Sequence, residues 1–330
     1  MAFTSKYKGE EIDALLDLVG EESIKQKPKW TGHADAEGLK AIGWTDEDIQ
    51  YYQENGVNWN EEDDEYHKVS EDNKALYGVL TADNISSYRS RIVYLPKIDT
   101  SGLTSMSSMF SGCTSLVAIP MLDTQNVTYM NKGFYECYSL VSIPPLDTQK
   151  VTNMGSMFYS CYSLSCVPQL DTQNVSNMSY MFQDCYSLVT IPQLNTQNVT
   201  SMNNMFYCCH SLVSIPPLDT QKLKEMDTMF YYCNSLVTIN LLNTQNVTSM
   251  NNMFFYCYLL VVANLKNVKL AYKLNNSAHL SKDSLLYIIN NEAATSAITI
   301  TLASYAYERL ANDADILAAL ANHPNITLAK

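Results

Sequence analysis

Three hundred and thirty residues are more than one hydrophobic core usually organises, so the chain is read either as two or three units or as a repeat array. At 17% charged and 46% apolar the composition is globular and excludes global disorder; no apolar run reaches the roughly 18 residues of a membrane span, and the start is not basic-then-apolar, so synthesis in a cytoplasm without membrane insertion is expected. The net charge of −13 sits mostly in residues 1–90, which hold 20 acidic and 9 basic side chains, and with no Lys/Arg cluster to neutralise phosphates, nucleic acid is excluded as a partner.

Residues 1–90 predict an acidic, α-rich N-terminal mounting or capping domain. Ile12, Leu15, Leu16 and Val19 recur at i, i+3, i+4 and i+7 and give a short amphipathic helix with an acidic outer face. That apolar stripe within residues 1–25 must pack on something, which makes it the expected contact for a homo-oligomer or a structural partner. Trp30, Trp44 and Trp59 lie close to Ile42, Ile49, Tyr51 and Tyr52 and predict a small separate core. An acidic run at 61–65 then leads through a linker-like stretch to Ile92, where the next unit begins.

Residues 91–270 are periodic. Asp99, Asp123, Asp147, Asp171, Asn195, Asp219 and Asn243 are each followed by Thr and spaced by 24 residues, and the Phe110, Cys113 and Leu116 columns repeat seven times without insertion. One such coil cannot bury its apolar face alone, so seven coils are expected to stack as an α/β solenoid with identical side chains in ladders. Within a coil, Val151, Met154, Met157 and Phe158 fall on one face of a short helical turn, and Thr148 and Thr152 are placed to cap it. The β-branched run ending at Pro144 predicts one brief strand per coil, hence a parallel sheet along one side.

The last unit, residues 271–330, predicts an α/β cap for the exposed end of the array. Residues 281–291 have helical spacing, 297–302 alternate as a strand, 305–320 form an Ala/Leu-rich helix before Pro324, and 326–328 form a last strand that continues the sheet.

The C-x-S-L-x-x-I-P half and the V-T-x-M-x-x-M-F half of each coil resemble the BspA-like leucine-rich repeats over about residues 91–270. The resemblance implies a leucine-rich-repeat solenoid used for adhesion or recognition on microbial surfaces, and it brings no catalytic residue. The layout of an opening helix followed by a repeat module also resembles bacteriophage tail-fibre and receptor-binding proteins, which implies a place in the virion as an alternative to the bacterial cell surface.

The candidate chemistry follows from the same columns. Seven cysteines in register would point every Cβ the same way, so buried free thiols are expected in place of disulfides, with Cys166 and Cys208, outside the ladder, as the reactive pair. No Cys/His set has zinc spacing, so no metal and no cofactor is expected. The Asp/Asn column reads as Asx turns more than as a cation row. His33, His67, His210, His279 and His323 are scattered and no nucleophile elbow or phosphate loop occurs, so a non-enzymatic protein is expected.

What varies between copies lies beside the cysteine. Tyr135, Tyr138, Tyr159, Tyr162, Tyr186, Tyr207, His210, Tyr231, Tyr232, Tyr256 and Tyr258 are the ligand-binding candidates, for a bacterial surface glycan or protein. The alternative reading of these rings is cover for the seams between coils. Ser142, Thr190, Ser214 and Thr238 are expected on the opposite, concave side.

Overall fold

The computed structural model describes residues 100–293 and 297–330, together with Ile85, Arg89 and Ile92. The mounting domain, its opening helix and its tryptophans lie outside the described residues, as does Asp99. Across the described residues the 24-residue repeat is a solenoid whose single core runs from Ile85 to Ile326, with Phe110, Phe134, Phe158, Phe182, Phe206, Phe230 and Phe254 on its axis.

Each coil turns its first corner at the Asx residue. Asp171 Oδ1 accepts the Gln173 amide at 3.1 Å, and the same bond recurs from Asp123, Asp147, Asn195, Asp219 and Asn243. The Thr beside it is buried and ties neighbouring coils together. Thr148 Oγ1 donates to the Asp171 carbonyl at 2.9 Å and accepts the Asp171 amide at 2.7 Å. Thr152 Oγ1 likewise donates to the Thr128 carbonyl of the preceding coil. The hydroxyls expected to cap a helical turn therefore join coils instead, because the groups left unpaired at the corner belong to the next coil.

No helix follows that corner. In residues 154–160 the Met157, Tyr159 and Cys161 amides bond three residues back to Met154, Ser156 and Phe158, while the Met154, Ser156, Phe158 and Ser160 amides bond forward to Asn177, Ser179, Met181 and Gln183 of the next coil. Alternate amides can point along the solenoid axis only if the chain reverses hand, and two residues per coil do so: Ser156 and Ser160 both have φ near 56°. An α-helix would send every amide to its own coil and leave the stacking direction without hydrogen bonds. The apolar spacing is satisfied all the same, since Val151, Met154, Met157 and Phe158 are all buried.

The expected strand in every coil is also corrected. Among the described residues only two coils have one: β1 (Thr238–Asn243) and β2 (Val262–Lys266), paired in parallel. These two coils carry Asn240 and Asn264 where the earlier ones carry Pro120, Pro144, Pro168, Pro192 and Pro216. Proline has no amide to donate, so the ladder cannot close there. Parallel pairing in the earlier coils is reduced to single bridges, Ser105 to Tyr129, Tyr129 to Asn153, Asn153 to Asn177 and Asn177 to Ser201, just before the methionine. Of the positions expected on the concave side, Ser142 is buried whereas Thr190 is exposed.

The cap has its own three-stranded parallel sheet, β3 (Tyr272–Leu274), β4 (Ile298–Leu302) and β5 (Ile326–Ala329), hydrogen-bonded in that order and separate from β1 and β2. Helix α1 (Lys282–Asn290) packs on β2 and is capped by Ser281, whose hydroxyl accepts the Ser284 amide. The helix expected over 305–320 is two: α2 (Ser304–Leu310) and α3 (Ala314–Asn322). Asp313 interrupts it by accepting the Asp315 and Ile316 amides, a side-chain cap that starts a new helix.

Candidate functional site

Three columns flank the buried cysteines and, apart from the buried Ser160, reach the surface from Tyr135 to Tyr258. The first, two residues before it, reads Tyr135, Tyr159, Gln183, Tyr207, Tyr231, Phe255 along the coils; the next reads Glu136, Ser160, Asp184, Cys208, Tyr232, Tyr256; the one just after the cysteine reads Tyr138, Tyr162, Tyr186, His210, Asn234, Tyr258. Because the coils are in register, the rings stack face to face. Tyr135 and Tyr159 lie 4.6 Å apart, Tyr207 and Tyr231 4.9 Å, and Tyr138, Tyr162, Tyr186 and His210 form a run at 4.7, 4.7 and 4.9 Å. At the C-terminal end Tyr232 and Tyr256 lie 4.2 Å apart, and Tyr256 meets Tyr258 at 5.8 Å.

The sequence-derived candidates are thus brought together, but as separate stacks. Most are half-buried; Tyr186 and Tyr258 are exposed. Inside a stack both ring faces are covered, so each ring does seal the seam between coils, and each pair supplies about 0.5–1.5 kcal/mol beyond burial. Only edges and hydroxyls are presented, except where a column is interrupted. The interruptions fall at Gln183 and at Asn234, whose buried Oδ1 has no hydrogen-bond partner.

Gln183 is the more informative break. Its Nε2 donates to Asp184 Oδ2 at 3.2 Å and lies 3.4 Å from the Tyr159 hydroxyl. No ion pair to Asp184 exists among the described residues. Its field reaches the surrounding rings: burial first, then Asp184, pushes Tyr186 up to about 12 and raises Tyr159; Cys208 is likewise pushed up to about 12 by burial and then Asp184. The expectation that Cys208 is a reactive thiol is therefore corrected, since a thiol held protonated beside a carboxylate is a poor nucleophile. Cys166 is exposed. Gln183 and Asp184 were visible in the sequence as departures from the tyrosine column, and the signal that singles them out is the broken repeat.

The seven ladder cysteines are free and buried. Each of the last six donates its thiol to a phenylalanine carbonyl of the preceding coil, as Cys161 does to Phe134 at 3.1 Å. No group of three or more His, Cys, Asp or Glu among the described residues could hold a metal ion, and no helix among them is long and apolar enough to cross a membrane. On another face a shallow groove of about 660 Å³ is lined by Gln169, Asp171, Gln193, Asn195, Pro217 and Asp219. One oxygen of each of Asp171 and Asp219 accepts its Asx-turn amide, and the Gln169 and Gln193 amides donate to the Gln193 and Pro217 carbonyls of the next coil.

Two stretches, residues 83–188 and 165–268, match the family described as "Mycoplasma protein of unknown function, DUF285", and together they span more than half of the chain. The chain belongs to this family. The DUF285 match begins close to Ile85, the first residue of the shared core, and ends at Val268, where the array meets its cap. No curated protein matches the chain. Among solved structures, one described as "Crystal structure of TLR13-ssRNA13 complex" aligns at 11% identity over 68% of this chain and 52% of that one, with a TM-score of 0.19, too low to bear on the fold. The chain spans about half the length of that structure.

Proposed function

We propose that this DUF285 protein is a non-enzymatic recognition protein that binds a protein or glycan of the bacterial surface through the outward columns beside the cysteines. The observation that carries this reading is that the varying columns beside the cysteines gather aromatic side chains into stacks at the surface. The Thr hydroxyls and the backbone around each Met join coils, and Phe, Cys and Leu fill the core, while the positions around 135–138 and their equivalents change from coil to coil and carry stacked rings at the surface. The perturbed thiols and phenols among the described residues support the same view, for each is pushed upward with burial as its first cause, the reverse of an activated nucleophile. The finer setting, a phage tail or host-attachment protein, rests on the layout of opening helix and repeat module.

The test is saturable binding of the full chain to intact bacterial cells, before and after replacing Tyr135, Tyr159 and Tyr207 together by Ala. Loss of binding with an unchanged circular-dichroism spectrum supports recognition. Retained binding assigns the rings to seam cover alone.

A further inference from the structure

In the first aromatic column the Gln183 rung leaves the facing rings of Tyr159 and Tyr207 without a ring between them. Tyr159 and Tyr207 are two coils apart, and the rungs around them repeat at 4.6–4.9 Å, so the gap between them is one ring wide. The Gln183 side chain crosses that gap. Its flat amide does there what a larger planar donor would do: it gives an N–H to Asp184 Oδ2 and lies within reach of the Tyr159 hydroxyl. Asp184 is meanwhile a carboxylate half-buried among Tyr159, Tyr186, Tyr207 and Cys208 with no cation paired to it among the described residues.

Flat shape, aromatic faces on either side and an unneutralised carboxylate at the rim describe a guanidinium better than any other biological side chain. Arginine is planar, always charged, weakly hydrated, and stacks on tyrosine faces while donating to carboxylates. Lysine has the charge without the plane, and a neutral ring has the plane without the charge.

We propose that the rung between Tyr159 and Tyr207, beside Asp184, is a socket for an arginine side chain of a partner protein, which enters by displacing the Gln183 amide. This rests on the reading of the outward columns as a recognition surface and narrows its partner to an arginine-bearing protein segment. Gln183 is the free protein's own stand-in for the ligand, which keeps Asp184 hydrogen-bonded when the socket is empty.

The experiment measures fluorescence anisotropy of a labelled Gly/Ser peptide carrying arginine, and of its lysine and citrulline counterparts, on the full chain at physiological ionic strength. The arginine peptide binds saturably, and the lysine and citrulline peptides bind about tenfold more weakly or not at all, the scale of one charge-assisted contact. Gln183→Tyr completes the stack without changing net charge and abolishes arginine binding; Asp184→Asn, which conserves shape, reduces it about tenfold. Equal affinity for arginine and citrulline, equal affinity for arginine and lysine, or undiminished binding by Gln183→Tyr overturns the socket, as does the absence of saturable arginine binding. Because Gln183→Tyr copies what neighbouring coils already carry, its melting curve shows whether it remains folded. Cell binding without arginine binding sinks the socket alone; arginine binding without cell binding sinks the bacterial-surface reading alone.

Discussion

Two residues in each coil bear the backbone cost of stacking. Ser108, Lys132, Ser156, Tyr180, Asn204, Thr228 and Asn252 have φ between 51° and 60°, and Glu136, Ser160, Asp184, Cys208, Tyr232 and Tyr256 follow four residues later. Left-handed backbone costs an ordinary L-residue about 1–2 kcal/mol, and the first coil avoids it at one site with Gly112, at φ 75°. From Ser108 to Tyr232 the remaining sites are held because each delivers an amide to a carbonyl of the next coil. Tyr180 is the clearest case, since its ring is 42% exposed and its amide donates to the Asn203 carbonyl. Tyr180→Gly keeps that bond and removes the strain, so it raises the unfolding free energy by about 1 kcal/mol, read as a higher urea midpoint. A lowered midpoint would show that the exposed ring contributes more than the turn costs.

At the scale of the coil, stability comes from repetition of shape. Phe158 is fully buried and stacked between Phe134 at 5.5 Å and Phe182 at 5.6 Å, with the planes within 5°. Phe158→Ala opens a cavity with walls on two sides and costs about 3–5 kcal/mol, measured by chemical denaturation. A loss under about 1 kcal/mol would mean that adjacent coils slide together to close the gap, which the fixed corner bonds at Thr148 and Thr172 oppose. The strands obey the same local logic. Asn in place of Pro at positions 240 and 264 restores an amide donor, so the coils that make true ladders are identifiable from one column of the sequence.

For the whole molecule, the thiol column makes stability depend on alkaline pH. Burial pushes Cys113 up to about 12 against the lowering pull of Arg89, and the other six ladder thiols are raised as well, burial being the first cause in each. In the unfolded chain these groups lose their protons near the ordinary thiol value of 9.0. The folded state therefore holds more protons above that pH, and the stabilisation is complete below about 9 and is lost as pH rises beyond it. The urea midpoint should hold up to about pH 9 and fall as pH rises from there toward about 12, and a flat profile would mean that the thiols are solvated in the folded protein.

The sequence by itself determined whatever follows from repetition: the 24-residue period, the Phe, Cys and Leu ladders, the Asx corners, the free thiols and the outward placement of the tyrosines. These are one-dimensional facts, because identical residues at a fixed interval can be buried only by lying against their own copies. The tertiary structure decided the path of the backbone between them. A spacing of i, i+3, i+6 and i+7 says which side chains point inward, but not whether an amide bonds within its coil or to one 23 residues on, as from Ser156 to Ser179. It likewise decided that the tyrosines close over one another's faces and leave Gln183 beside Asp184 as the open rung, since a ring's free face depends on the coil above it.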